Sequence, residues 1–333
     1  MPKEKIRIAI VGYGNVGRGV YRAIARNPDM EFAGIISRDP ARVGAEFSQA
    51  GQIATTIMSN KSEDNFYRLH ADVAVLCTGS SKDLPRQGPF FAKHFNTVDS
   101  FDTHAKIPKY FADMKRAALN YKHIAIICAG WDPGTFSLER VLADAFIPES
   151  KKFTFWGPGV SQGHSDAIRR VEGVADAIQY TMPIKDSLNL VREGKNPDLT
   201  TGQKHWRDCY VALKEGADPE KVREEIESMP NYFLDYVVRV TFETPEQIAE
   251  RKKEMPHGGF VLTIGETGQG NKALIEYRND WKSNPDATGS ILVACARANY
   301  RLQGDIGGAF TMLDIPPAYL SPHSRDELLK DFM

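Results

Sequence analysis

Cysteine is scarce in this chain, and the few cysteines form no pattern. The 333 residues contain four of them, with no Cys-x-x-Cys pair and no histidine at the spacing of a metal site. The sequence therefore predicts neither a disulfide framework nor a bound metal. Cys77 and Cys128 lie inside apolar runs and are expected to be small buried hydrophobic residues.

Long hydrophobic runs and an excess of one charge are also missing. No apolar stretch approaches the roughly 18 residues of a membrane span, and residues 1–5 lack the apolar core of a signal peptide. Basic and acidic residues nearly balance, with a formal net charge of −1, so neither nucleic acid nor an anionic membrane is an expected partner. The composition predicts a cytoplasmic protein, long enough for two domains.

Three glycines follow the first apolar run at the spacing of a dinucleotide-binding loop. Residues 6–11 are predicted to form a strand, and Gly12, Gly14 and Gly17 come directly after it. Such glycines permit a tight turn, a close approach of the backbone to phosphate and close packing of the next helix, whose N-terminal amides face the anion. An ordinary glycine-rich turn is the alternative, but the strand before and the helical pattern after favour a bound dinucleotide.

The end of the next predicted strand, residues 32–38, carries a cation where NAD-binding proteins carry an acid. Ser37 and Arg38 stand about twenty residues beyond the last glycine, where an Asp or Glu would bind the ribose of NAD. A guanidinium can bind a 2′-phosphate through two charge-assisted hydrogen bonds, and a hydroxyl can donate a third. The sequence therefore predicts NADP as cofactor. Asp39 partly offsets the positive charge, and a solvated surface arginine is the alternative.

Further apolar runs alternate with segments of helical period and predict an α/β fold. Residues 72–77, 95–99 and 123–128 are continuous runs of the kind buried on both faces of a parallel sheet. We therefore expect a Rossmann-type doubly wound parallel sheet. The hydroxyl-rich segments 78–81 and 100–104 follow two of these strands, at the edge that faces the ligand in such sheets. They are candidates for contacts to the ribose or nicotinamide, or simply good turns.

The second half of the chain has a different texture. After residue 130, proline and glycine are frequent and the apolar runs alternate, as in residues 233–240, which predicts a mixed or antiparallel sheet. We place an NADP-binding domain at 1–130 and an α+β substrate-binding and dimerisation domain at 131–293. The segment 294–333 starts with a helical pattern and is expected to pack back on the first domain.

Short islands of polar and aromatic residues occur in this half without a packing reason. They are residues 131–134, 155–166, 204–207 and 255–259. Together they offer aromatic surface, carboxylates, arginine and histidine, which are the groups that bind a small zwitterion. Each residue type also has a structural alternative: aspartates cap helices, tryptophans fill cores, and lone histidines and arginines are usually structural or solvated.

At these islands the chain resembles the meso-diaminopimelate dehydrogenase family. The resemblance covers most of the chain, and its motifs are residues 9–15, 98–102, 130–134, 154–159, 161–167, 255–259 and 308–311. It implies NADP-dependent, reversible oxidative deamination of meso-2,6-diaminopimelate at its D-centre, giving L-2-amino-6-oxopimelate, ammonia and NADPH for lysine and cell-wall precursor synthesis. A homodimer is expected, since alternating strands of the second domain could present a face to a partner subunit.

The resemblance also implies roles for individual residues. Around the reacting D-centre it places Asp102, Trp131, Asp132, Trp156, Gln162 and Gly163. At the distal L-centre it places Thr181, Arg207, His257 and Asn284. At the cofactor it places Gly12, Tyr13, Gly14, Asn15, Val16, Ser37 and Arg38, with Cys77, Thr78, Gly79 and Ser80 as looser candidates. The catalytic carboxylate is Asp102 or Asp132, either of which could accept the amine proton.

Two positions depart from the family's pattern. Asp39 replaces the second of two adjacent arginines, which leaves the strength of the preference for NADP over NAD open. Ser283 competes with Asn284, because the correspondence there needs a shift of one residue. Two other functions stay open as well. One is an oxidoreductase of amino-acid aldehydes, similar to homoserine dehydrogenase, which would release no ammonia. The other is a non-catalytic NADP sensor, which would need neither Asp102 and Asp132 nor Arg207 and His257.

Overall fold

The computed structural model describes residues 5–49, 56–303 and 307–333. It has two compact units, one of residues 1–138 and 285–333 and one of residues 139–284. The domain boundaries expected from the sequence, after residues 130 and 293, stay predictions. Residues 1–4, which entered the prediction that no signal peptide is present, lie outside the described residues. Within the described ranges, no helix is both long and apolar enough to cross a bilayer.

The first unit begins with alternating strands and helices. Its strands are β1 (Ile6–Val11), β2 (Met30–Ser37), β3 (Ile57–Ser59), β4 (Val73–Leu76), β5 (Asn96–Asp99) and β6 (Ile124–Ile126). Its helices are α1 (Asn15–Ala25), α2 (Pro40–Gln49), α3 (Leu84–Phe91) and α4 (Ile107–Tyr121), with 3₁₀ segments at Glu63–Leu69 and His104–Lys106, and α5 (Thr135–Phe146) runs across the boundary between the units. The chain enters the second unit along α5.

The second unit is richer in strands. They are β7 (Lys151–Trp156), β8 (Gly159–Val160), β9 (Val174–Pro183), β10 (His205–Leu213), β11 (Val237–Phe242), β12 (His257–Thr267) and β13 (Asn271–Trp281). Its helices are α6 (Gln162–Ile168), α7 (Lys185–Arg192), α8 (Thr201–Lys204), α9 (Pro219–Glu227) and α10 (Pro245–Arg251), with a 3₁₀ turn at Gly268–Gly270. The chain then returns to the first unit with α11 (Asn284–Arg301), β14 (Gly308–Phe310), a 3₁₀ turn at Met312–Asp314, α12 (Pro317–Leu320) and α13 (Arg325–Phe332).

The first unit contains one parallel sheet of seven strands. Their order is β14-β6-β5-β4-β1-β2-β3, and every neighbouring pair is parallel. Alternate residues of β1 enter different cores: Ile8 and Ile10 pack in one with residues of α1 and α11, Ala9 and Val11 in the other with residues of α3 and α4. Both faces of the sheet are therefore covered. This confirms the predicted Rossmann-type doubly wound fold, in which the switch of winding direction falls between β1 and β4.

The second unit contains two smaller sheets. One is mixed, in the order β11-β10-β9-β8, and the other is antiparallel, in the order β13-β12-β7. The predicted α+β character is confirmed, but the strand expected over 233–240 begins only at Val237. Phe233 is fully buried with Val222 and Ile226 of α9, so the chain turns there to fill a core before it joins the sheet.

The C-terminal helix α11 begins about three turns earlier than its sequence pattern indicated. Pro285 lies in its first turn, and Ala287, Thr288 and Gly289 are buried. A Cβ built at Gly289 would overlap the backbone of Gly19 in α1, so the two helices cross at backbone contact. These small residues carry little hydrophobic periodicity, which explains why the pattern is visible only from about residue 294.

Candidate active site

The glycine loop after β1 forms an open cradle at the start of α1. Gly12 has a φ of +87°, in the region that favours glycine, and a Cβ there would lie 2.8 Å from Thr78 Cγ2. A Cβ at Gly17 would overlap the carbonyl oxygen of Gly12, whereas a Cβ at Gly14 would meet no described atom within 4 Å. The loop is therefore packed where helix and strand meet and open where a phosphate would approach.

A cavity of about 310 Å³ continues from this cradle along the carboxyl ends of the central strands. Its lining residues are Val11, Gly12, Tyr13, Gly14, Ile36, Ser37, Arg38, Asp39, Arg42, Asn60, Cys77, Thr78, Gly79 and Gln87. Two buried side-chain atoms in this lining, Thr78 Oγ1 and Gln87 Oε1, have no hydrogen-bond partner among the described residues. Polar groups left in this state need a ligand or water. Cradle, cavity and these atoms together fit a dinucleotide.

The β2 tip presents one well-exposed guanidinium. The Arg38 side chain is 69% exposed, and its Nη1 lies 3.5 Å from Asp83 Oδ1. The Asp39 backbone N–H donates to Ser37 Oγ, and Asp39 Oδ1 accepts the backbone N–H of Arg42 at 3.0 Å. The Asp39 carboxylate, whose negative charge partly offsets that of Arg38, thus accepts a hydrogen bond from the first turn of α2.

The other predicted cofactor residues differ in placement. Asn15 and Val16 start α1 and are not among the cavity's lining residues. Burial raises the pKa of the Cys77 thiol, so this side chain contributes a neutral wall. Ser80 Oγ accepts the backbone N–H of Asp102 at 2.9 Å and thereby ties together the loops after β4 and β5. Six lining residues were not predicted as cofactor contacts: Val11, Ile36, Asp39, Arg42, Asn60 and Gln87.

The loop that carries Asp102 is anchored by a buried acid that the sequence analysis gave no role. Asp99 ends β5 and is fully buried, and it accepts hydrogen bonds from the Phe101 backbone N–H at 2.9 Å and from the Tyr110 hydroxyl at 2.7 Å. Burial raises the pKa of Asp99 to about 6, against the lowering effect of these hydrogen bonds. Asp102, three residues further on, is exposed.

Trp131 and Asp132 lie in a tight loop after β6. Gly130 and Gly134 pair across its base, and Gly134 has a φ of +142°. The Trp131 ring is nearly buried and packs 4.4 Å from that of Phe136. Neither predicted carboxylate is a helix N-cap: the cap of the turn after Asp102 is Thr103, and α5 starts only at Thr135, three residues beyond Asp132.

Arg207 of β10 is a buried cation in the second unit. It is only 4% exposed and pairs in register with Thr181 of β9, whose Oγ1 accepts a hydrogen bond from Arg207 Nη1 at 2.6 Å. The guanidinium carbon lies 3.9 Å from the ring centroid of Tyr236. Arg207 Nε has no hydrogen-bond partner among the described residues, and burial lowers the pKa of the guanidinium. An arginine with these surroundings is a receptor for an anion.

Trp156, at the end of β7, is held by His205. The Trp156 backbone N–H donates to His205 Nε2 at 2.7 Å, and the two rings stack at 5.1 Å with an angle of 20°. His205 is fully buried, and burial lowers its pKa to about 3. The histidine is therefore neutral and carries its proton on Nδ1, which faces the carbonyl oxygen of Thr201 at 3.2 Å. His205 was not among the predicted site residues.

The remaining predicted residues of the second unit lie around the loop before β12. Gly159 pairs with Thr181, and a Cβ on it would lie 3.0 Å from the Cα of His257. Gln162 Nε2 is 4.0 Å from Met255 Sδ, and Gly163 next to it is exposed.

Ser283 and Asn284 both lie beside the same loop. Ser283 bridges to Met255 through the backbone, and the Asn284 backbone N–H donates to the Met255 carbonyl oxygen at 2.7 Å. The backbone thus brings both alternatives to one place, and the choice between them stays a prediction. No group of three metal-ligating side chains comes together within the described part of the chain.

Residues 130–283 match the family model of the diaminopimelic acid dehydrogenase C-terminal domain. Over 332 residues the chain is 50% identical to a meso-diaminopimelate D-dehydrogenase of Ureibacillus thermosphaericus, covering 99% of this chain and 100% of the relative. A Corynebacterium glutamicum DAP dehydrogenase in complex with DAP is 42% identical, with a TM-score of 0.88 and 99% of each chain covered. An engineered D-amino acid dehydrogenase bound to NADP⁺ is 40% identical, with a TM-score of 0.82, covering 99% of this chain and 100% of that one.

Proposed function

This chain belongs to the meso-diaminopimelate dehydrogenase family, and we propose that it catalyses the reversible, NADP-dependent oxidative deamination of meso-2,6-diaminopimelate at the D-centre. The products are L-2-amino-6-oxopimelate, ammonia and NADPH. The observation that carries the substrate assignment is Arg207, a buried guanidinium with no carboxylate partner among the described residues and one unused donor. A diacid supplies the missing anion.

The coenzyme is assigned to the cavity of the first unit. The glycine loop and the N-terminus of α1 would hold the pyrophosphate, and Thr78 and Gln87 have buried polar atoms to offer. The chemistry that a nicotinamide coenzyme supplies when bound is acceptance of a hydride. Ser37 and Arg38 support NADP rather than NAD, because a 2′-phosphate needs cationic and hydroxyl donors and the Asp39 carboxylate already accepts a backbone N–H.

Asp102 and Asp132 are proposed to handle protons at the reacting centre. The substrate amine must lose a proton before its lone pair can drive departure of the hydride, and water must then add to the resulting iminium carbon. A carboxylate near the nitrogen can orient the ammonium group, accept the proton and help to activate that water. Ser80 and Asp99 hold the loop of Asp102, and the Gly130–Gly134 bridge holds that of Asp132. Trp131 contributes apolar surface beside them.

The second unit is proposed to recognise the rest of the substrate. Arg207 and Thr181 bind the distal carboxylate through a guanidinium and a hydroxyl. His257 and Asn284 complete the groups at the distal L-centre, while Trp156, Gln162 and Gly163 are assigned to the reacting D-centre. Because Arg207 and Thr181 bind the carboxylate at the end of the substrate away from the reacting carbon, they orient the molecule and select which centre reacts.

The cellular setting follows from this assignment. We place the enzyme in the cytoplasm, in lysine and cell-wall precursor synthesis, as a homodimer. The homodimer is supported by large apolar side chains exposed on the second unit.

A comparison of stereoisomers tests the proposed function. The protein should reduce NADP with meso-diaminopimelate and release one ammonia per NADPH, and the L,L and D,D isomers should react far more slowly. L-homoserine serves as the control substrate, since its oxidation would yield NADPH without ammonia. Equal rates with all three isomers, or NADPH formation from L-homoserine alone, would refute the assignment.

A further inference from the structure

The cavity of the first unit is lined by a second guanidinium beside that of Arg38. Arg42 lies in the first turn of α2, four residues after Arg38, and both line the cavity together with Gly12, Tyr13 and Gly14. The β2 tip and the start of α2 therefore bring both side chains to the same wall.

The Arg42 side chain is held in a defined orientation. Its Nη2 donates to the Tyr13 carbonyl oxygen at 3.1 Å, within the glycine loop itself. Its Nη1 lies 3.5 Å from Glu46 Oε2. That glutamate is bound more closely by Arg18, through two hydrogen bonds of 2.6 and 2.8 Å. Because Arg18 already compensates the Glu46 charge, the Arg42 guanidinium keeps most of its positive field toward the cavity.

The two acids near this wall each accept a backbone N–H, and Asp83 Oδ1 also lies 3.5 Å from Arg38 Nη1. Asp39 Oδ1 accepts the Arg42 backbone N–H, and Asp83 Oδ2 accepts the Gly79 backbone N–H at 3.2 Å. An adjoining cavity of about 570 Å³ shares Arg38 and adds Lys61 and Arg86 to its lining. Cations therefore outnumber acids on this side of the coenzyme cavity, which is the balance that a dianionic group requires.

We propose that Arg42 is a specificity-determining residue that binds the 2′-phosphate of NADP together with Arg38. The residue directly after Arg38 is an aspartate, so the second cation of this wall is supplied by the helix α2. The inference rests on the proposed function, because it requires the coenzyme to occupy this cavity. Discrimination between NADP and NAD then depends on Arg42 in α2 as well as on Arg38 after β2.

Calorimetric binding of nucleotide fragments tests this without turnover. Arg42→Gln should weaken binding of 2′,5′-ADP by about 10- to 100-fold, the range for one lost charge-assisted hydrogen-bonding group, and change 5′-AMP binding by no more than about twofold. Arg42→Lys keeps the charge and should lose less. Arg116→Gln, an exposed arginine of α4, is the matched control and should bind both fragments as the wild type does.

The outcomes separate this inference from the proposed function. If wild-type protein binds neither NADP nor NAD, the coenzyme assignment itself fails. If wild type prefers 2′,5′-ADP and loses that preference in Arg38→Gln but keeps it in both Arg42 variants, only the role of Arg42 is overturned. Equal losses of 2′,5′-ADP and 5′-AMP in Arg42→Lys, at an unchanged melting temperature, would also overturn it, because a 2′-phosphate contact affects one fragment alone.

Discussion

Arg207 illustrates how one residue can limit what a site accepts. A buried guanidinium has lost its hydration, and the Thr181 hydroxyl and the Tyr236 side chain that contact it are both neutral groups. A neutral partner and a cation–π contact offset part of the free-energy cost of this desolvation, whereas a carboxylate offsets much more. The site is therefore better suited to a substrate with a distal carboxylate than to a simple apolar amino acid.

Replacing Arg207 with lysine tests this at a constant charge. Arg207→Lys removes the planar fork, so KM for meso-diaminopimelate should rise and kcat/KM should fall by about 10- to 100-fold, the range for a hydrogen bond to a charged group. NADP binding should be unaffected. Arg239→Lys is the control: this arginine lies on the neighbouring strand β11, pairs with Asp208 and is largely exposed, so its loss should change kcat/KM by no more than about twofold. An unchanged KM in Arg207→Lys would remove the clamp from the proposal.

Asp99 gives the stability of the protein a pH dependence that an exposed acid would not. Its pKa is raised by burial to about 6 from an ordinary value of 3.8, so the folded protein binds this proton more tightly than the unfolded chain. Stability then falls as pH rises from about 4 to 7, as the buried carboxyl loses its proton, by at most about 3 kcal/mol.

Asp99→Asn removes that proton equilibrium and tests the prediction. Urea unfolding of wild type and variant between about pH 5 and 7, within about a unit of the raised pKa, should show a free-energy difference that moves in favour of the variant as pH rises. His164 and His205, whose pKa values burial lowers to about 4 and about 3, contribute an opposite slope. Both proteins contain these histidines, so their contribution cancels in the difference. A difference independent of pH would show that Asp99 titrates normally.

At the scale of elements, α11 of the C-terminal segment packs directly against α1, a helix that covers one face of the sheet. Gly289 approaches the backbone of Gly19, and Gly19 in turn approaches the carbonyl of Pro285. Two glycines facing each other allow backbone contact that any Cβ would prevent. The same helix α11 buries Ile291 and Leu292 in the core that contains Ile8 and Ile10. This packing supports β1, the strand that leads into the glycine loop.

Paired glycine substitutions measure the importance of this crossing. Gly289→Ala should destabilise the protein by about 1–3 kcal/mol, because its methyl group meets backbone that cannot yield. Gly44→Ala in α2 is the matched control, since a Cβ there would meet only ordinary contact, with Ile57 Cδ1 at 3.9 Å. It should stabilise by about 0.5–1 kcal/mol through helix propensity. Thermal unfolding of both variants decides the matter, and equal effects would mean that close packing at Gly289 is unimportant.

At the scale of the whole molecule, the second unit has several large apolar side chains exposed at its surface. Val141, Leu142, Phe146 and Leu274 are large apolar residues between 37% and 62% exposed. Exposed residues of this kind often mark an interface between subunits. They support a homodimer formed through the second unit.

Sedimentation of charge variants tests that assembly. The wild type should sediment at twice the mass of one chain, and Phe146→Glu should shift it toward the single-chain mass by placing a charge in an apolar interface. Phe332→Glu, at the end of α13 in the first unit, replaces a phenylalanine of similar exposure (69% against 62% for Phe146) and should leave the mass unchanged. A wild type that sediments as a single chain at micromolar concentration would refute the homodimer.

The sequence by itself determined the parts of this protein that local pattern encodes. Apolar runs, helical periods and the spacing of Gly12, Gly14 and Gly17 indicated the parallel sheet and the dinucleotide loop, because strand burial and tight turns leave their signature in adjacent residues. The distinctive islands of the second half pointed to the family and to residues such as Arg207 and Thr181.

Only the tertiary structure decided which distant side chains support them. Asp99 beneath the Asp102 loop, His205 behind Trp156, Tyr236 under Arg207 and Arg42 beside Arg38 follow from strand register and helix packing. None of these pairings has a periodic signature in the chain. A buried acid such as Asp99 or a buried histidine such as His205 supports a site only if the fold places a site residue next to it. Contacts between segments far apart in sequence determine that placement.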